Sequence, residues 1–226
     1  VLFRRQRQMC IRDRDLINKI QFDIDEIGTP ITFKWGKCKL ATSAYGHGIT
    51  TTPLQLAKAY AIISNGGYKI RPTLLKKKEN LKKREQIISE DNSKKINNIL
   101  RKIVTSEEGT ANLANIAGHE IAGKTGTAQK SIGGKYSKKK INTFASIFPI
   151  SSPKYVLIVI LDEPKLSKDY VYSYNDGKER KIVGTPFNTA GWTSVEVAKN
   201  IIEKIGPILA IKSVSYTHLT LPTKQD

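Results

Sequence analysis

Cysteine is nearly absent from this chain. Cys10 and Cys38 are its only two in 226 residues, and they form neither a disulfide framework nor a metal-binding motif. No apolar run reaches the roughly 20 residues that a membrane-spanning helix needs, so none of these residues is expected to cross a bilayer as a helix. Acidic residues are also scarce, with Asp+Glu 20 against Lys+Arg 38 and a net charge of +18. Such a balance admits a nucleic acid, an anionic envelope surface or a lysine-biased proteome. The lysines are scattered in surface-like positions, and no basic patch is interleaved with aromatic residues as single-strand binders require. Nucleic acid is therefore not the expected partner. With 39% hydrophobic residues, the chain has enough apolar material for one cored domain.

Both ends differ from what lies between them. Residues 1–14 carry Arg4, Arg5, Arg7, Arg12 and Arg14 against Asp13, with no apolar period, and residues 213–226 follow an expected helix end at Gly206-Pro207. Both strings look like translated adaptor sequence, and 15–212 is the expected domain. A basic arm and an ordinary tail are the alternative reading.

The middle is well punctuated. Thr52-Pro53, the run LQLAKAYAIISN and Gly66-Gly67 predict a helix with an N-cap, proline in its first turn and a glycine stop. Leu54, Ala57, Tyr60 or Ala61, and Ser64 are its expected packing face. Ile96, Ile99, Leu100, Ile103 and Val104 predict a second helix over about 90–104. Val195, Ala198, Ile201, Ile202 and Ile205 predict a third over about 190–205. Strands are expected over 120–129, 143–150 and 155–161, the last two joined by the turn-like Ser151-Ser152-Pro153-Lys154. The lysine-rich stretch from Lys76 to Arg84 and the polar stretch 165–183 read as excursions. The order implies an α/β (α+β) domain whose antiparallel sheet is covered by helices.

Chemistry concentrates in Ala122-Gly123-Lys124-Thr125-Gly126-Thr127-Ala128. On a strand, the Thr125 and Thr127 hydroxyls share a face, Lys124 supplies fixed charge, and Gly126 leaves the backbone open to a ligand. That combination suits capture of a carboxylate beside a reacting carbonyl, and a strand edge can pair with an extended peptide. As a bare tripeptide Lys-Thr-Gly carries little weight, and a lysine snorkelling from a strand is the competing reading.

The surrounding strings add specificity. Ala44-Tyr45-Gly46-His47-Gly48-Ile49 leading into Thr50-Thr51-Thr52-Pro53-Leu54-Gln55-Leu56-Ala57, then Asn65-Gly66-Gly67 and Arg71-Pro72, resemble class B penicillin-binding proteins. So do Gly109-Thr110-Ala111, Lys124-Thr125-Gly126-Thr127-Ala128-Gln129, Leu161-Asp162-Glu163-Pro164 and Gly191-Trp192. Their order resembles the C-terminal half of the transpeptidase domain, and Gly191-Trp192 leans toward the division-specific septal branch over the elongation branch. The resemblance implies the fold shared by penicillin-binding proteins and serine β-lactamases, here N-terminally truncated. It also implies a peptidoglycan D,D-transpeptidase of a Gram-negative bacterium that cross-links stem peptides through a serine acyl-enzyme.

In that family Lys124 has the catalytic charge, Thr125, Gly126 and Thr127 bind substrate, and the Thr127 N–H forms half of an oxyanion hole. No metal or organic cofactor is implied. The implied partners are D-Ala-D-Ala stem peptides or lipid-linked glycan strands, β-lactam antibiotics and divisome membrane proteins. The implied setting is the inner membrane, with this domain periplasmic. A D,D-carboxypeptidase or β-lactamase of the same fold, and a non-catalytic β-lactam sensor or scaffold, are the alternatives.

The nucleophile is expected upstream of the Lys-Thr-Gly strand and outside this chain. Ser137-Lys138-Lys139-Lys140 fits S-x-x-K and Ser173-Tyr174-Asn175 fits S-x-N, but both follow that strand, within a hairpin loop and an excursion, and read as coincidences. His47 faces either the cleft or only a turn before the helix. Asp162 and Glu163, as neighbours on a strand, are expected to point to opposite faces and to cap the strand end.

Overall fold

The first helix starts as its cap chemistry requires. α1 (Pro53–Ser64) opens with a capping box, in which Gln55 N–H donates to Thr52 Oγ1 at 3.2 Å and Thr52 N–H donates to Gln55 Oε1 at 2.9 Å. α2 (Glu90–Thr105) is capped by Ser89 and has Glu90 and Asp91 in its first turn and Lys102 in its last, which suits the helix dipole. These two helices belong to the computed structural model of the protein, in which the described residues are 16–31, 42–43, 48–76, 85–133, 135–174 and 180–214. Arg180 and 210–214 are described by their backbone alone. Expectations for residues 1–14, His47, 77–84 and 215–226 lie outside the described residues.

Three strands form one antiparallel sheet in the order β1 (Ala122–Ile132), β2 (Lys135–Phe148), β3 (Tyr155–Asp162). Thr125 stands opposite Phe144 and Thr127 opposite Asn142, while Phe144 in turn faces Val159. Among the described residues β1 pairs only with β2, so its other side is a sheet edge. β2 begins eight residues before the expected 143–150. The lysine-rich run at its start is mostly exposed and is held by ladder bonds to β1, so apolar periodicity gave no sign of it.

Alternation divides the sheet into two packed faces. Phe144, Phe148 and Val159 lie on one, against Val195, Ala198 and Ile202 of α3 (Ser194–Val214). Ala122 and Ile147 lie on the other, with Leu100 of α2 and with Tyr60 and Ile63 of α1 against them. The result is an α+β sandwich with α3 on one side of the sheet and α1 and α2 on the other.

Several expectations are corrected. The most buried side of α1 is Gln55, Lys58, Ala59 and Ile62; of the expected face Tyr60 does pack on the core, while Leu54, Ala57 and Ser64 are only half-buried. Gln55 is drawn inward by its cap and by its amide bond to the Asn18 carbonyl, which rotates the stripe by one position. Ile99 on α2 is 59% exposed, because the side of α2 that meets the sheet carries Leu100, Ile103 and Val104. α3 does not stop at Gly206-Pro207 but runs to Val214 with Pro207 inside it. Leu209 packs on the core beyond the proline, and Gly206 lies inside the helix beside the His119 ring, so it marks no helix end.

The excursion 165–183 contains a two-stranded hairpin of β4 (Val171–Tyr174) and β5 (Arg180–Val183). It is anchored by Tyr172, whose ring lies 5.1 Å from that of Trp192 and whose hydroxyl donates to the Trp192 carbonyl at 2.8 Å. Strands of four residues are too short for periodicity to declare them.

Burial pushes the Tyr60 phenol up to about 12 from an ordinary 10.0. A phenol with a higher pKa folded than unfolded contributes stability that is complete below about 10 and is lost as pH rises through about 12. Replacing Tyr60 with Phe is expected to remove one late-titrating phenol from the ultraviolet titration and to flatten that alkaline limb. An unchanged limb would count against a buried Tyr60.

Candidate functional site

Gly123 seats β1 directly on the sheet. A β-carbon there would come within 2.6 Å of the Ala145 carbonyl oxygen and 2.7 Å of the Phe144 ring, so only glycine permits this approach. From that seat, Thr125 and Thr127 project together toward the α3 side, as alternation predicts. Lys124 belongs to the opposite face, but its Nζ donates to the Thr125 carbonyl at 2.8 Å, which keeps the cation beside β1 and exposed. Lys124, Thr125, Gly126 and Thr127 therefore form one stretch, with the hydroxyls on one face and the ammonium on the other.

The hydroxyls open into a cavity of about 410 Å³, walled by Glu107 and Thr110 after α2, by Thr189 and Trp192 before α3, and by Tyr174 of β4. Thr110 Oγ1 and Thr125 Oγ1 are 2.8 Å apart. The Ala190 N–H donates to Thr127 Oγ1 at 2.9 Å. Gly191 lets the two outer walls meet, since a β-carbon on it would lie 2.5 Å from the Thr110 carbonyl oxygen. Asn112 fixes the Thr110 loop by donating to the Val104 and Ser106 carbonyls at 3.3 and 2.9 Å, which satisfies the end of α2.

Gly126 differs from Gly123. It is exposed, and a β-carbon on it would meet nothing nearer than the Thr143 β-carbon at 3.9 Å. Packing does not require this glycine, and the space beside it lies open to a ligand backbone. Fixed positive charge, hydroxyl donors and a free strand edge can together hold an extended peptide and its carboxylate.

Other sequence candidates fall elsewhere. Asp162 and Glu163 do not diverge as expected, because Glu163 has a φ of +52° that breaks strand alternation. Both carboxylates converge on Lys130, at 2.8 and 2.9 Å, and Lys139 lies 3.1 Å from Glu163. Hydrogen bonds from these two lysines hold the Glu163 carboxyl below its usual range, and those to Asp162 and Glu163 raise the Lys130 ammonium. The cluster clamps β1 to β3 and takes no part in the cavity.

Ser137 lies on β2 and not in a loop, and Lys140 reaches the Asn188 carbonyl at 2.9 Å, so that S-x-x-K string makes no serine–lysine pair. Ser151-Ser152-Pro153-Lys154 spells the same pattern at the β2–β3 turn, where Ser151 N–H donates to Glu120. Ser173 and Tyr174 are on β4, while Asn175 lies outside the described residues. Thr110, Thr189 and the Ala190 N–H were not among the expected site residues. The strings Gly109-Thr110-Ala111 and Gly191-Trp192 were the available signal, since each places a small residue beside them.

Comparison with known proteins identifies the family and the fold. Residues 15–187 match the penicillin binding protein transpeptidase domain. The chain is 30% identical over 208 residues, 87% of its length, to a probable peptidoglycan D,D-transpeptidase FtsI of Caulobacter vibrioides, of which it covers 33%. It is 35% identical over 170 residues to stage V sporulation protein D of Bacillus subtilis, covering 69% of this chain and 26% of that protein. It thus spans about a third or less of these relatives. The fold is similar to the transpeptidase domain of Burkholderia pseudomallei penicillin-binding protein 3, with a TM-score of 0.70 at 21% identity, covering 98% of this chain and 60% of that one.

The two glycines of β1 are expected to respond oppositely to alanine. Gly123→Ala should cost about 2 kcal/mol or more of stability through overpacking, whereas Gly126→Ala should leave the melting temperature within a few degrees and weaken peptide binding. Thermal melts of both variants read this directly, and equal destabilisation would contradict the open space at Gly126.

Proposed function

The chain belongs to the penicillin-binding protein transpeptidase family, and on that premise we propose that it forms the substrate-binding wall of a peptidoglycan D,D-transpeptidase. The observation that carries the reading is the convergence of the Thr125 and Thr127 hydroxyls on one cavity at the edge of the described sheet, with the Lys124 ammonium held at the Thr125 carbonyl of the same strand. A stem peptide ending in D-Ala-D-Ala lies along β1, its terminal carboxylate held by the two hydroxyls and drawn by Lys124. Gly126 lets the peptide backbone approach, and the Thr127 N–H stabilises the oxyanion that forms on the reacting carbonyl.

The reaction proceeds through an ester. A serine oxygen attacks the D-Ala–D-Ala carbonyl, the C–N bond breaks, and the terminal D-alanine leaves with the proton the serine gave up. The amine of a neighbouring strand then attacks the ester, forming the cross-link amide and returning a proton to the serine. No serine lines the cavity among the described residues, and the nucleophile is assigned to the parent protein outside this chain. β-Lactams enter by the same route, with the ring amide in place of the scissile bond.

Septal wall synthesis, a periplasmic setting with an inner-membrane anchor, and divisome partners complete the proposal. They are supported by the likeness to an FtsI protein and by the Gly191-Trp192 segment. Among the described residues, no helix is long and apolar enough to cross a membrane.

Fluorescent penicillin tests the assignment. The complete protein is expected to take a covalent label, and the 226-residue chain by itself none. In the complete protein, Lys124→Ala is expected to slow acylation about 100-fold, the usual scale for a lost electrostatic stabiliser. Label on the isolated chain at Ser137 would overturn the assignment of the nucleophile, and wild-type acylation in Lys124→Ala would overturn the role of Lys124.

A further inference from the structure

The Thr127 hydroxyl already uses one of its lone pairs. Its oxygen accepts the Ala190 N–H at 2.9 Å, so its own hydrogen is free to point into the cavity, where Thr127 is exposed. An acceptor-only group such as a carboxylate requires a hydroxyl presented this way.

Ala190 is kept in place by a chain of amides and hydroxyls, of which Asn142 and Thr193 are buried. Asn188 Nδ2 donates to the Pro164 carbonyl at 2.9 Å, which leaves Asn188 Oδ1 facing Asn142 as an acceptor. Asn142 Nδ2 donates to that oxygen at 2.9 Å and to Thr193 Oγ1 at 2.8 Å. Thr193 passes its own hydrogen to the Thr189 carbonyl at 2.9 Å. A carbonyl at each end can only accept, so every direction along the chain is determined. Asn142 is wholly buried, and it stands directly opposite Thr127 in the β1–β2 register. Its Oδ1 has no partner among the described residues. An apolar residue would fill this position without that unsatisfied oxygen, so packing alone does not account for the amide.

We propose that Asn142, Asn188 and Thr193 are positioning residues that fix the 189–190 turn so that Thr127 is oriented as a donor to the substrate's terminal carboxylate. This rests on the reading of Thr127 as a carboxylate anchor, and the test separates the two. The network touches no substrate and acts through the Ala190 N–H.

The complete protein is assayed with benzylpenicillin and with its methyl ester, which differ in the free carboxylate, and the ratio of the two acylation rates is the readout. Thr193→Val keeps the side-chain shape and removes the hydroxyl that links Asn142 to Thr189, while Thr193→Ser retains it. Thr193→Val is expected to slow acylation by benzylpenicillin about 10-fold, the scale of one hydrogen bond to a charged group. The ester rate should stay within about 2-fold, as a neutral group makes a weaker bond, and Thr193→Ser should keep the parent ratio.

Equal losses on both probes mark a merely structural role and overturn the proposal, as does an unchanged ratio. Thr127→Val discriminates further. If it leaves the ratio intact, the carboxylate anchor itself is wrong; if it abolishes the ratio while Thr193→Val does not, only the positioning network falls. Should Thr193→Val fail to fold, Asn188→Asp at its half-buried site removes the donor to Pro164, and the same ratio decides.

Discussion

The register between β1 and β2 is the constraint on which the site depends. With Thr127 opposite Asn142 and Thr125 opposite Phe144, both hydroxyls face the cavity and the lysine lies across the strand from them. A slip of one residue would exchange these faces, turning Lys124 and Gly126 into the cavity and burying the threonines among α1 and α2. Three contacts hold the register. The Phe144 ring lies under Gly123, Arg101 Nη1 donates to the Ile121 carbonyl at 2.6 Å, and Lys130 grips Asp162 and Glu163 at the far end. Lys130 can do so because the ladder shifts between Gln129 and Ser131, and such a bulge re-aims the side chain.

The cavity's other walls come from distant parts of the chain and depend on that strand in turn. The loop after α2 and the turn before α3 meet where Gly191, having no β-carbon, leaves room for the Thr110 carbonyl. Their relative placement follows from burial, since α3 buries Val195, Ala198 and Ile202 against Phe144 and Val159. Each Val, Ile or Phe among them contributes about 1.5–3 kcal/mol when fully removed from water, so the apolar core carries the stability and the polar contacts supply orientation.

Buried polar groups on the α3 side follow the same division. Glu196 and Lys199 are both buried with 3.8 Å between their charged atoms, and Tyr170 donates to Glu196 at 2.9 Å. Burial raises the Glu196 carboxyl while Lys199 draws it down, and Lys199 also bonds the Ser173 carbonyl. Paired charges of this kind add little net stability, but losing one partner is strongly destabilising because the other is left buried and uncompensated. Here they tie the β4–β5 hairpin to α3, and with it Tyr174 at the cavity wall.

Local chemistry was legible from residues alone. The cap of α1, the amphipathic face of α3 up to Ile205, the three strands in order and the shared face of Thr125 and Thr127 all follow from interactions spanning a few residues, which the sequence encodes directly. The extent of β2, the passage of α3 through Pro207, the β4–β5 hairpin and the convergence of Asp162 and Glu163 on Lys130 were not legible, because each is decided by a partner far along the chain. The sequence by itself thus pointed to the family and singled out four residues of β1 as the candidates for its chemistry. Only the tertiary structure decided that Thr110, Thr189 and the Ala190 N–H stand beside them, because a cavity is made by packing segments that are not neighbours in sequence.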